Sequence, residues 1–271
     1  MRKKHAFHYF AVGLICVVLL LFSFPFLWML SASFKTQAQI MGNTGLIFFE
    51  PTFRNYVNVF KEHNFLKYII NSFVVAAGAT VFSLLLGLPA AYAIARYHMQ
   101  RLGMVILIAR IIPGITFLIP WFILFSMAGM VDTYAALILS HMLVVLPFIV
   151  WIMIAYFEAL PREIEESGLI DGCTVNRVFL HIVLPISGPG ITTSSLLSFI
   201  FSWNNFMFSI ILAGDRTKTL PIAVFNFLSY SEINWGGLMA AACIITLPVL
   251  AISLMTQRYV VSGLSAGAVK G

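Results

Sequence analysis

Long apolar stretches recur along this chain, and each is about as long as a bilayer is thick. They cover residues 10–30, 69–95, 102–127, 134–157, 186–213 and 237–257. A helix of about 20 apolar residues crosses the hydrocarbon core of a membrane. The composition agrees, because 61% of the 271 residues are hydrophobic and only 10% are charged, against about a quarter in soluble domains. We therefore predict an all-α, polytopic membrane protein with six transmembrane helices in a single domain, residues 1–271.

The first apolar stretch could be a cleaved signal peptide or a permanent anchor, since basic residues precede both. The apolar part of a signal peptide usually has 7 to 15 residues, and this stretch is longer. Pro25 and Trp28 lie where the end of a membrane helix would be expected. We therefore expect an N-terminal anchor helix over about residues 10–31, and core helices over about residues 69–257.

Basic residues between the stretches indicate how the chain is oriented. Six helices put both termini on one side, and an N-terminus in the cytoplasm would place there Arg2, Lys3, Lys4, Arg96, Arg101, Arg162, Arg177, Arg258 and Lys270. The other side would then hold Lys35, Arg54, Lys61, Lys67, Arg216 and Lys218. Cytoplasmic loops carry the excess of Lys and Arg, so we predict that both termini are cytoplasmic. The net charge of +6 then reflects membrane loops, and we expect no binding of nucleic acid.

Motifs for nucleotide binding and hydrolysis are missing from the sequence. It contains no GxxxxGK[ST], HExxH or GxSxG pattern, so we expect no catalytic residues and no enzyme activity in this chain. Cys16, Cys173 and Cys243 lack CxxC or metal-ligand spacing, and we expect neither a metal site nor a bound cofactor. Any energy supply must come from a partner.

Two ionisable residues lie within the apolar stretches, Arg110 and His141. Arg110 either extends its side chain to the membrane surface or lines a polar pathway. His141 is either a hydrogen-bonded packing residue or a functional one. An ion-coupled secondary transporter would usually also place carboxylates near the middle of the bilayer, and the apolar stretches contain none there.

A long polar segment, residues 158–190, interrupts the apolar second half of the chain. Gly172 can end a first helix by adopting a left-handed conformation. Thr174 can cap a second helix, which Leu184 and Pro185 are expected to end. The sequence therefore predicts a helix, a glycine turn and a helix between two membrane spans.

One face of the first predicted helix carries small residues. Ser167, Gly168 and Asp171 share this face, and Glu165 and Glu166 flank it. Small side chains let the surface of another protein approach the backbone closely. A solvated loop is the alternative, because acidic residues near a helix N-terminus also favour the helix through its dipole.

The same residues resemble a known motif. Glu166-Ser167-Gly168, Gly172, Ile182 and Leu184-Pro185 match the spacing of the EAA motif in the membrane subunits of binding-protein-dependent ABC importers, with Ser167 and Gly168 in place of two alanines. In that family the segment, here about residues 158–185, is a coupling helix that sits in a cleft of the ATP-binding subunit. The resemblance implies ATPase-coupling roles for Glu165, Glu166, Ser167, Gly168, Asp171 and Gly172.

Further blocks are similar to the carbohydrate-uptake permeases, in particular to subunits of the maltose permease G type. They include Leu146-Pro147-Phe148, Phe201-Ser202-Trp203-Asn204-Asn205-Phe206, Thr219-Leu220-Pro221 and the C-terminal tail, residues 258–271. The resemblance implies the type I ABC importer permease fold in a bacterial cytoplasmic (inner) membrane, and import of a sugar or oligosaccharide. A polyol or glycerol-phosphate importer, or an ion-coupled secondary transporter, is the alternative.

Membership of that family also implies partners. These are a second permease subunit in a heterodimer, two ATPase subunits that bind ATP and Mg, an extracytoplasmic solute-binding protein, and membrane lipid. The C-terminal tail either contacts the ATPase dimer or is a frayed terminus.

Two groups of polar residues are candidates for contact with solute and binding protein. Trp203, Asn204 and Asn205 could face the substrate pathway, because sugars need amide-type hydrogen-bond partners and aromatic faces; alternatively they pack between helices. Asp215, Arg216 and Lys218 lie in a polar loop, residues 214–236, and could meet the solute-binding protein.

Overall fold

The computed structural model describes residues 2–42, 45, 48–61, 64–228 and 233–268. Within them the chain is helical, and the only β interaction is one isolated bridge between Leu228 and Ile233. In chain order the α-helices are α1 (Arg2–Ser33), α2 (Gln37–Met41), α3 (Arg54–Lys61), α4 (Phe65–Arg96), α5 (Gln100–Ile111), α6 (Leu118–Met127), α7 (Tyr134–Ala159), α8 (Glu163–Ile170), α9 (Val175–Val178), α10 (Leu184–Ile186), α11 (Gly188–Trp203), α12 (Met207–Leu212), α13 (Leu220–Phe225) and α14 (Trp235–Ala268). The predicted all-α class is confirmed.

Four of the described helices are long and apolar enough to cross a membrane, and they belong to α1, α4, α7 and α14. Two bent helix pairs bring the number to six if each is one span. They are Gln100–Ile111 with Gly114–Met127, bent by 87°, and Val175–Ile186 with Gly188–Trp203, bent by 76°. The chain is therefore a multi-pass membrane protein.

The third apolar stretch is broken rather than continuous. Helix α5 ends at Ile111, and a 3-10 turn, Gly114–Phe117, leads into α6. Pro113 disfavours the helical conformation at the residue before it, and Ile112 is accordingly extended, with φ −67° and ψ 122°. The expectation of one span over residues 102–127 therefore becomes two helix segments with an abrupt bend.

The fifth stretch also departs from its expected bounds, residues 186–213. Helix α11 ends at Trp203, and α12 begins at Met207. Between them the Asn205 side chain accepts a hydrogen bond from the Phe208 N–H at 3.2 Å. Asparagine favours such a position before a helix over a helix interior, because its side chain competes for backbone hydrogen bonds.

The helix ends at Ile186, one residue beyond the expected end at Leu184 and Pro185, and boundaries of this kind vary by one or two residues. A π-helical turn, Phe179–Val183, precedes these residues, and Pro185 lies in the first turn of α10.

Two further segments are more helical than the sequence indicated. The polar loop over residues 214–236 contains α13, and the C-terminal tail continues α14 as far as Ala268. Residues 269–271, and the tail side chains on which a contact with an ATPase would depend, lie outside the described part of the chain.

The chain divides into two compact units. One comprises Met1–Leu66 and Ala223–Leu247. In it the Asn55 side chain donates to the carbonyls of Ser33 and Lys35, both at 2.8 Å. The other unit comprises Lys67–Ile222 and Pro248–Gly271 and contains the candidate sites.

Helix α7 lies in the core of that second unit and packs against α5 and α11. Its residues Ile149, Met153 and Phe157 are buried together with Tyr92 of α4 and Val178 of α9. Because Val178 belongs to the segment 158–185, one continuous apolar core joins that segment to the membrane helices.

Candidate functional site

The segment 158–185 forms the predicted helix, glycine turn and helix. Gly172 adopts a left-handed conformation, with φ +84°. Behind it the N–H of Cys173 donates to the Gly168 carbonyl at 3.0 Å, which closes α8. The Thr174 hydroxyl then accepts a hydrogen bond from the Arg177 N–H and caps α9.

The inner face of α8 packs on the second helix of the same segment. A Cβ atom on Gly168 would lie 2.6 Å from Ile182 Cδ1 and 3.3 Å from Val178 Cγ2. The small size of Gly168 therefore allows close packing within the chain. The sequence predicted that Gly168 would let another protein approach α8. In the structure Gly168 instead faces the second helix of its own chain.

Glu165 fixes α8 to the end of α4. Its carboxylate accepts hydrogen bonds from Arg96 Nε and from the Tyr92 hydroxyl, both at 2.7 Å. The side chains of the ion pair are only 9% and 11% exposed. Arg96 also donates to the Leu160 carbonyl at 3.3 Å. Glu165, a candidate coupling residue, thus points into its own chain, and the sequence could not reveal its partners because they lie about 70 residues away.

The outer face of α8 is exposed and carries both polar and apolar groups. Glu166, Ser167 and Asp171, three of the candidate coupling residues, are exposed. Beside them the side chains of Leu169 and Ile170 are 45% and 85% exposed. These two residues were not predicted from the sequence, although two adjacent aliphatic residues within a polar segment could have indicated a contact surface. This face has the composition of an interface, in which apolar side chains are surrounded by polar ones.

Trp203, Asn204 and Asn205 do not form one polar surface. Trp203 is buried and stacks on Phe199 with ring centroids 5.8 Å apart. The Asn205 side chain accepts a hydrogen bond from the first turn of α12, whereas Asn204 is exposed. The Trp203 side chain thus packs between helices, and of the three residues only Asn204 is exposed.

His141 is buried near these residues, and its Nδ1 lies 2.7 Å from the Ser202 hydroxyl. Its Nε2 atom has no hydrogen-bond partner in the described residues. One of the two ring nitrogens of His141 is therefore hydrogen-bonded, as expected for a packing residue.

Asp132, which the sequence analysis missed, holds the loop that contains Asp215, Arg216 and Lys218. Its carboxylate accepts hydrogen bonds from the backbone N–H groups of Gly214 and Thr217, both at 2.9 Å, and from that of Arg216 at 3.1 Å. The Thr217 hydroxyl adds a bond of 2.7 Å. Partial burial raises the pKa of Asp132, but these four bonds outweigh it and hold the pKa below its usual value.

Helix α4 holds the same loop from the other side. The Asn71 amide donates to the carbonyls of Arg216 and Lys218 at 3.0 and 2.8 Å, and Lys67 donates to the Asp215 carbonyl at 2.7 Å. The side chains of Asp215 and Arg216 are exposed, while that of Lys218 is half-buried. The three candidate residues therefore lie together on a loop whose backbone is fixed.

The fixed loop and the segment 158–185 lie at opposite ends of α7. Asp132 precedes the helix by two residues, and α8 begins four residues after its end. A helix of 26 residues is about 39 Å long, which exceeds the thickness of a hydrocarbon core, about 30 Å. The two candidate surfaces therefore suit opposite sides of one membrane.

The described part of the chain shows no group of three His, Cys, Asp or Glu side chains that could hold a metal ion. Cys16, Cys173 and Cys243 are free thiols.

Residues 83–265 match the family model described as the inner membrane component of binding-protein-dependent transport systems. The chain is 34% identical to the trehalose/maltose transport system permease protein MalG of Thermococcus litoralis, over 92% of this chain and 91% of that one. It is 32% identical to the diacetylchitobiose uptake system permease protein DasC of Streptomyces coelicolor, over 92% of each chain.

Solved structures show the same fold. A chain of a bacterial ABC transporter involved in the import of the acidic polysaccharide alginate superimposes with a TM-score of 0.82 at 19% identity, over 96% of this chain and 98% of that one. A chain of the MetNI methionine ABC transporter superimposes with a TM-score of 0.59 at 17% identity, over 73% of this chain and 95% of that one.

Proposed function

The chain belongs to the inner membrane components of binding-protein-dependent transport systems, and from this premise we propose that it is the transmembrane subunit of an ATP-driven importer for a sugar or oligosaccharide. Its relatives include permeases for trehalose and maltose and for diacetylchitobiose, which favours a sugar over a polyol or a glycerol phosphate. The observation that carries the proposal is the two-sided helix α8, fixed to the membrane helices on one face and exposed on the other.

The exposed face of α8 is the proposed contact with an ATPase subunit. Leu169 and Ile170 would insert into a cleft of that subunit, and Glu166, Ser167 and Asp171 would surround them. The ATPase subunits, two in the assembly, would bind ATP and Mg and carry out hydrolysis. This chain would supply no catalytic residue.

The buried face of α8 would transmit the movement. ATP-driven closure of the ATPase subunits would shift α8, and the Glu165–Arg96 ion pair would carry that shift to α4. Coupling of this kind needs a rigid element that moves between two arrangements. The close contact of Gly168 with the second helix supports the rigidity that the segment 158–185 would need.

At the other end of α7, the fixed loop would meet the solute-binding protein. Exposed Asp215 and Arg216, with Lys218 beside them, would provide polar contacts around a docking surface. With both termini in the cytoplasm, this loop would lie on the outer side of the bacterial inner membrane. A second permease subunit would complete the pathway as a heterodimer.

Retention of the ATPase subunit tests the proposal. We would express the chain with its partner permease and a tagged ATPase subunit, and compare Ile170→Glu with Met127→Glu, whose side chain is equally exposed (85%) but lies at the end of α6. We expect Ile170→Glu to lower ATPase retention at least tenfold and Met127→Glu to leave it unchanged. Full retention by Ile170→Glu in a folded complex would contradict the proposed contact.

A further inference from the structure

Arg110 occupies an unusual place for a charged residue. It lies in the last turn of α5, and its guanidinium carbon is 4.6 Å from the centre of the Phe148 ring and 5.4 Å from that of Trp151. Phe148 is close to the middle of α7, about 16 Å from the nearer end of that helix. The rings therefore hold the charge well inside the span, rather than at its surface.

The guanidinium group of Arg110 is exposed and has no polar partner among the described residues. Its side chain is exposed, and in the described part of the chain its guanidinium contacts these two rings but no hydrogen-bond acceptor or carboxylate. A guanidinium has five N–H donors. A charge at this depth usually faces a water-filled cavity or a polar partner, since lipid solvates it poorly.

The break in the backbone beside Arg110 is independent evidence for a polar environment. Helix α5 stops one residue later, and the chain bends by 87° before α6. The last carbonyls of a helix lack partners within it. A broken backbone at membrane depth is tolerated where it lines a water-filled cavity or is buried in protein, and broken helices are typical of binding sites in transporters.

Open aromatic rings complete the surroundings. Trp151 is 48% exposed and Phe201 is 47% exposed. Phe148 neighbours both, with its ring centre 5.0 Å from that of Phe201 and 6.5 Å from that of Trp151. A sugar ring has an apolar face of C–H groups that packs on such rings, and its edge carries hydroxyl groups that accept from a guanidinium.

We propose that Arg110, Trp151 and Phe201 form a saccharide contact on the translocation pathway, an assignment that rests on the proposed function. The sugar ring packs on the exposed aromatic rings, and the guanidinium donates to neighbouring hydroxyl groups. A carboxylate of the second permease subunit would satisfy the arginine but would leave both rings uncovered, so a saccharide fits this surface better.

The test uses the complete transporter in vesicles with ATP inside and with its solute-binding protein. Uptake of labelled trehalose, maltose and diacetylchitobiose is measured for Arg110→Gln, Arg110→Lys and Trp151→Leu. The controls are Arg101→Gln, an exposed arginine at the start of α5, and Phe82→Leu, an aromatic residue of α4 that is 51% exposed.

We expect Arg110→Gln and Trp151→Leu to lower uptake at least fivefold at saturating, sugar-loaded binding protein. Arg110→Lys keeps the charge but loses the planar pair of donors, so it should change the ratio between the three sugars. Basal ATP hydrolysis and the yield of assembled complex should stay within twofold of the unaltered transporter, as should uptake by both controls.

Two results would overturn the saccharide contact. Unchanged uptake and an unchanged ratio of sugars would show that no sugar meets Arg110. A loss of assembled complex in parallel with uptake would show that Arg110 pairs with the second permease subunit instead. If the unaltered transporter takes up none of the three sugars with ATP, although its binding protein is loaded with them, the proposed function itself is contradicted.

Discussion

At the scale of single residues, the buried contact between Glu165 and Arg96 has the largest expected effect. Replacing Glu165 by Gln leaves the arginine buried without its counter-charge, and breaking such a pair usually costs about 3 kcal/mol or more. We predict a lower Tm for Glu165→Gln and little change for Glu163→Gln, an exposed carboxylate in the first turn of the same helix. Equal melting temperatures for the two variants would contradict the anchoring role.

A double-mutant cycle can separate anchoring from general damage. If Glu165 acts through Arg96, the loss caused by Glu165→Gln should be smaller in a protein that already carries Arg96→Gln. Additive losses in Tm would mean that the two side chains act independently.

Gly172 provides the second prediction at this scale. Its φ of +84° is strained for any residue with a side chain, and the cost is about 1–2 kcal/mol. We expect Gly172→Val to reduce transport and the stimulation of ATP hydrolysis while membrane insertion stays intact. Gly13→Val is the control, because Gly13 of α1 has an ordinary φ and open space around it. Normal coupled transport by Gly172→Val would count against the turn.

At the scale of elements, Asp132 organises the loop that carries the proposed contacts with the solute-binding protein. An Asn side chain keeps one acceptor oxygen and replaces the other by a donor, so Asp132→Asn cannot accept all four bonds. Three of the bonds go to Oδ1, which Asn retains, and the Arg216 N–H bonds to Oδ2, which Asn replaces by an NH2 group. We predict faster hydrogen exchange of the Arg216 amide, and no change for Asp215→Asn. Unchanged exchange in Asp132→Asn would contradict the assignment.

The same loop should respond to acid. The pKa of Asp132 is lower in the folded protein than in the unfolded chain, so its stabilising effect is complete above about pH 4, the usual value for Asp. That effect is lost as the pH falls through the depressed pKa, when the carboxyl group is protonated. Hydrogen exchange of Gly214 and Thr217 measured over this range should rise as the pH falls, after correction for intrinsic rates.

Features of the helices and turns that depend on neighbouring residues could be predicted from the sequence, whereas features that depend on the fold could not. Apolar length predicted the membrane helices, and Gly172 and Thr174 predicted the turn and cap of the segment 158–185, because these signals are local. The bend after α5 was missed, since a proline within an apolar stretch allows either a kink or a break. The partners of Glu165 and Asp132 were missed because they are brought together only by the fold.

At the scale of the whole molecule, the chain is a multi-pass membrane protein whose family is that of the inner membrane components of binding-protein-dependent transport systems. Its structure places two surfaces at the two ends of α7, one exposed and partly apolar and one polar and fixed. An importer needs such an arrangement, because energy enters on one side of the membrane and solute on the other.

The central claim is that energy reaches this chain from a partner ATPase, and uptake into sealed vesicles tests it most directly. The vesicles would contain this chain, its partner permease and the ATPase subunits, with sugar-loaded binding protein outside. We predict that uptake requires ATP inside and continues when ion gradients are abolished. Uptake driven by an ion gradient without nucleotide, and unchanged by Ile170→Glu, would contradict the account.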